Sequence, residues 1–215
     1  MNIRKLIRDL LILVVFCGAF YGLTRGIDLM GDQPAVQAEV TEYSAARIAA
    51  DDAVSRGRWE DAIVELDKLI VDDPFNGHAW YTLGEQHAAL VYHYRRNYRT
   101  AVNRGRSQDR LDMYLELIEE HTGPAIAAFE RAMDFARFRN LSRVNLAHLY
   151  NVEDRDDEAI AMLRAAMEEG FSVNGGLRRN FFSLRSHPEF EELREIESEI
   201  NRRRIANAPT IGPGM

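Results

Sequence analysis

Cysteine is nearly absent from this sequence, Cys17 being the single one. Everything after it must fold without a disulfide, and heme attachment through Cys-x-x-Cys-His is excluded. Lysine is as scarce: Lys5 and Lys68 stand alone beside abundant arginine, a bias that coding preference accounts for. A basic balance is missing too, and the net charge of −7 argues against a nucleic-acid partner, which needs a cationic face to neutralise phosphates. The histidines (His78, His87, His93, His121, His148 and His187) show no His-Glu-x-x-His spacing, so no zinc site is expected. No glycine-rich phosphate loop follows a strand, because no strand pattern is apparent, and Gly175-Gly176 reads as a turn. Catalytic residues, cofactor and metal are therefore all expected to be absent, and the chain reads as a non-enzyme. What is present, 46% apolar and 28% charged residues, suits an ordered globular protein.

The first residues carry Arg4, Lys5 and Arg8 and then run without charge from Leu10 to Leu23. A basic flank before an apolar segment targets a membrane. Its length lies between a signal core and a full span, and no good cleavage site falls at the right distance, so residues 1–27 read as an uncleaved anchor or as a signal segment. A lipoprotein signal ending at Cys17 is disfavoured by bulky Phe16 before it. The positive flank leaves the N-terminus in the cytoplasm and the domain outside. For a bacterium, that is a single-pass inner-membrane protein with a periplasmic domain. Residues 28–42, with Gly31, Asp32 and Pro34, read as a linker.

From residue 43 to 206 the apolar period is helical. One phrase recurs in register: Ala62-Ile63-Val64-Glu65-Leu66, then Ala125-Ile126-Ala127-Ala128-Phe129, then Ala159-Ile160-Ala161-Met162-Leu163. The last two copies begin 34 residues apart. Gly57, Trp59, Ala62, Leu66 and Pro74 look like the second half of one repeat unit, Trp80, Leu83 and Gly84 like the first half of the next, and Asn145, Leu146, Ala147 and Tyr150 like that of a third. On these residues the chain resembles the tetratricopeptide (TPR) family, although His87 stands where the family prefers Tyr, and Arg137 and Phe171 replace its closing Pro. The resemblance implies an all-α solenoid of about three TPR-like helical hairpins that binds proteins. Gly84, Ala62 and Ala125 would let helices approach closely while Trp80, Leu66 and Phe129 fill the gaps.

The interval from Ala62 to Ala125 holds 29 residues beyond one period. This insertion, about 85–124, is helical: Leu83, Leu90, Tyr94 and Tyr98 continue one helix, and Leu111, Tyr114, Leu115 and Ile118 form a second stripe. Thr122 is the expected cap of a following helix, with Pro124 near its start. The middle hairpin should project about 20 Å beyond its neighbours. Asn180 to Phe190 resembles the phrase that leads into the terminal helix of many bacterial TPR proteins, so 189–205 is expected to cap the stack and 207–215 to form a tail.

Two surfaces are candidates for partner binding. By resemblance, the groove helices carry Arg47 and Asp51, Tyr81 and Glu85, and Asn145 and His148, each pair about one turn apart. Their signs are mixed and do not form a carboxylate clamp. In the insertion, Arg95, Arg96, Arg99, Arg104, Arg106 and Arg110 crowd together. They either pair with the acidic first unit, rich in Asp51, Asp52, Glu60, Asp61, Glu65 and Asp67, or dock an acidic protein surface or lipid headgroups. The expected function is a membrane-tethered protein-interaction scaffold with an unidentified protein partner. The alternative is a structural accessory subunit of a larger membrane complex, which Gly18, Ala19 and Gly22 in the apolar segment would suit.

Overall fold

The computed structural model describes residues 45–206, and the anchor, linker and tail expectations (1–27, 28–42 and 207–215) lie outside them. The described chain is all-α. Its helices are α1 (45–55), α2 (Trp59–Asp72), α3 (Gly77–Asn103), α4 (Gln108–Ala132), α5 (Ala136–Val152), α6 (Asp156–Glu168), the single turn α7 (Leu177–Asn180) and α8 (Phe190–Ala206). A 3₁₀ turn, Phe182–Ser186, separates the last two. Among the described residues no helix is long and apolar enough to cross a membrane.

One local device ends several of these helices. After α1, the Gly57 N–H donates to Val54 O at 3.0 Å and the Arg58 N–H to Ala53 O at 2.9 Å, with Gly57 at φ +65°. This double closure satisfies the last carbonyls and needs a left-handed residue, which glycine supplies without a Cβ clash. Gly105 does the same at the tip between α3 and α4. After α5 the position is filled by Asp154 at φ +57°, the one non-glycine residue with positive φ among those described. At the start of α3, the Asn76 side chain accepts from the Ala79 N–H at 3.0 Å, a standard N-cap.

From α2 to α6 each helix packs on the next, α3 also meets α5, and α6 packs against α8. Two cores result. The smaller joins Ala46, Ala50 and Ala53 of α1 to Ala62, Leu66 and Leu69 of α2 and Leu83 of α3. The larger runs from α3 through Phe129, Leu146, Leu149 and Leu163 to Phe181, Leu184 and Leu193. The helices meet at small residues: Ala62 and Ala125 are fully buried, and Gly84 lies directly under the buried ring of Phe129. Close approach there lets the two helices share one aromatic side chain instead of splaying around it.

The middle hairpin is long. Helices α3 and α4 have 27 and 25 residues, against 17 and 13 in α5 and α6, so they extend about 15 Å further at the helical rise. Its second arm departs from the sequence expectation, because α4 runs unbroken through Thr122, Gly123 and Pro124. Thr122 is not a cap; its hydroxyl donates back to Ile118 O at 2.8 Å. Pro124 removes one helical N–H, at a cost of about 3 kcal/mol in an isolated helix. Ile118, Ala125, Ala128 and Phe129 are buried on one continuous face that spans the proline, and that burial outweighs the cost. Leu115 also departs from the expected stripe and is 46% exposed, whereas Ile118 is buried.

Candidate functional site

Helices α1, α3 and α5 present side chains on a shared face. Arg47 and Asp51, one turn apart on α1, line a cavity of about 220 Å³ together with His78 and Thr82 of α3 and Arg137 of α5. His78 is fixed from two sides: its Nδ1 lies 3.0 Å from Thr82 Oγ1, and its ring stacks on Phe138 with centroids 5.9 Å apart. The sequence reading pointed to Arg47 and Asp51 but missed His78, Thr82 and Arg137. The His78/Thr82 pair was readable, because i and i+4 share a helix face.

Tyr81, Glu85 and Asn145 come together beside this cavity. The Tyr81 ring stacks on Phe138 at 5.3 Å and meets Phe129 edge-on at 5.9 Å, while Asn145 Nδ2 donates to Tyr81 Oη at 3.1 Å. Burial, reinforced by the charge of Glu85 and a hydrogen bond to it, pushes the Tyr81 phenol up to about 12, against the opposing pull of Asn145. Burial raises the Glu85 carboxyl as well, and Tyr81 and His78 pull it back. Glu85 keeps much of its surface open to water, so solvent screens this pair. The phenol stays protonated at neutral pH and serves as a hydrogen-bonding anchor. His148 has a different role: its ring stacks on the buried Phe181 at 4.2 Å, and burial lowers its pKa. It seats the C-terminal segment.

Among the described residues no arginine of the long-hairpin cluster pairs with the acidic first unit. Three of those acids are engaged locally, Asp52 with Arg56 and Arg58, Asp61 with Arg58, and Glu65 with Lys68. Arg95 instead reaches across to the end of α5, where its Nη2 donates to Glu153 Oε1 at 2.6 Å. The distance from 95 to 153 along the chain hid this contact from the sequence reading. Arg95, Arg96 and Arg99 line a second cavity of about 380 Å³, and Arg104, Arg106 and Arg110 a third of about 170 Å³, with Thr100 shared between the two.

A half-buried histidine pair, also unforeseen, sits between α3 and α4. The Nδ1 atoms of His87 and His121 are 3.1 Å apart, so one ring must donate and the other accept. Burial, and then the neighbouring His121, lower the His87 pKa to about 4. The ring of Tyr94 stacks on His121 and meets His93 edge-on, and His93 in turn meets Trp59. Among the described residues no group of three or more His, Cys, Asp or Glu side chains is arranged to hold a metal ion. No protein-family model and no curated protein matches this chain.

Proposed function

We propose that this chain is a non-enzymatic protein-interaction scaffold of the tetratricopeptide-like kind, tethered through residues 1–27 to a bacterial inner membrane with its domain in the periplasm. The observation that carries this reading is the shared face of α1, α3 and α5, where Arg47, Asp51, His78, Thr82 and Arg137 converge on one cavity and Tyr81, Glu85 and Asn145 flank it. Side chains from three successive first helices of hairpins, of mixed charge and held on an aromatic floor, are what an extended partner segment requires: fixed polar contacts at intervals along a concave path. The tether would raise the local concentration of this face near membrane-bound partners.

The test is site-specific crosslinking in native membranes, with photoreactive residues replacing Arg47, Glu85 and Arg99. Capture of a discrete protein from Arg47 and Glu85 supports the groove. If neither position captures anything, and deletion of residues 1–27 removes every co-purifying protein, the chain acts instead as a structural accessory subunit held in a membrane complex.

A further inference from the structure

We propose that the wall of the long hairpin between Tyr92 and Asn103 is a second docking site, specific for an acidic, extended peptide segment. The inference rests on the scaffold reading and names the chemistry of one partner. Tyr92, Arg96, Arg99 and Asn103 follow one another at i, i+4, i+7 and i+11, a single stripe along α3, and all border the 380 Å³ cavity that Val152 of α5 closes from the side. The stripe is about 16 Å long at the helical rise, the span of roughly five residues of extended chain.

Three observations select the ligand. The first is charge: residues 92–111 hold six arginines and one aspartate on a molecule whose net charge is −7, so a cationic wall stands on an acidic body. An acidic segment is steered to that wall and repelled elsewhere. The second is vacancy of the guanidinium groups. Among the described residues Arg96, Arg99, Arg104, Arg106 and Arg110 make no ion pair, and the first four of them are exposed, as is Arg110. The third is a carboxylate already in place: Glu153 reaches into the edge of this wall and bonds Arg95 at 2.6 Å. The protein's own carboxylate thus displays the contact that side chains of a partner would repeat on Arg96 and Arg99. A concave stripe flanked by Tyr92 also has the tyrosine-and-arginine composition of a protein interface, whereas a lipid surface would call for a convex one.

The experiment uses the full chain in an uncharged detergent and a fluorescein-labelled hexaglutamate peptide, read by fluorescence anisotropy, with a hexaglutamine peptide as the neutral comparison. Binding of hexaglutamate alone, weakened about tenfold in R96A/R99A and unchanged in R178A, whose exposed arginine lies on α7, is expected, together with a steep loss on raising salt. Glu153→Gln should tighten binding several-fold by releasing Arg95, an effect that a merely structural role for these residues would not produce. Equal binding of both peptides, or no loss in R96A/R99A, overturns the site. Displacement by glycerol phosphate or inorganic phosphate at concentrations where glutamate has no effect also overturns it, in favour of a phosphate-bearing surface. Crosslinked partners at Arg47 and Glu85 without hexaglutamate binding would leave the scaffold reading standing and sink this one alone.

Discussion

Replacing Gly84 by alanine sets two opposed terms against each other. In a helix interior, Gly→Ala gains about 0.5–1 kcal/mol from backbone entropy. At this site the new Cβ would stand 2.7, 2.8 and 2.9 Å from three ring atoms of Phe129, inside any normal carbon–carbon contact. The ring cannot step aside cheaply, being wholly buried and held edge-on against Tyr81. Overpacking of this kind costs about 1–3 kcal/mol, so G84A should be destabilised by a net ~1–2 kcal/mol. For a chain of this length the melting temperature should fall by about 3–8 °C. Urea and thermal unfolding of the full chain followed by circular dichroism measure it. A G84A protein as stable as the parent would refute the close-contact argument. In the double variant G84A/F129L the smaller side chain should absorb part of the clash, so the two costs should fall short of additive.

The His87–His121 pair should make stability fall with acid. His87 is 9% exposed and its folded pKa of about 4 lies below its ordinary 6.5, so the unfolded chain binds the extra proton first. This contribution is fully present above about pH 6.5 and is lost as pH falls toward 4, up to about 3 kcal/mol in all; urea midpoints of the parent and of His87→Gln between pH 7 and 4.5 should converge, and parallel curves would contradict it. Asp154→Gly should stabilise by about 1 kcal/mol, because a glycine removes the Cβ strain at φ +57°; chemical denaturation checks this, and a loss would mean that the Asp154 side chain has a task the backbone does not show. Phe181→Ala should cost about 3–5 kcal/mol by emptying a wholly buried site. It should also open His148 to water, so the His148 titration followed by NMR should move upward toward its ordinary value, and an unmoved titration would count against the stacked arrangement.

Local chemistry made much of the helical layout legible. Gly57 before Trp59 ends one helix because the residue after a helix favours positive φ, and Gly170 follows the same rule after α6 at φ +79°, while Gly175-Gly176, at φ +80° and +81°, form a turn before α7. The excess length between Ala62 and Ala125 forecast an extended pair of helices, since an apolar period that continues without a breaker continues the helix. Thr122-Gly123-Pro124 misled that reading: these residues favour a boundary in isolation, yet the buried face on both sides of them carries the helix across.

Sequence by itself therefore determined the all-α character, the glycine turns at Gly57 and Gly175-Gly176, and the small residues Gly84, Ala62 and Ala125 at which helices could approach. Each depends on residues near one another in the chain, or on a repeating period. Only the tertiary structure decided that Arg95 meets Glu153 rather than the acids of the first unit, that His87 faces His121, and that His148 lies against Phe181. Those contacts join side chains from separate helices, and their partners follow from crossing geometry and burial, which no local pattern encodes.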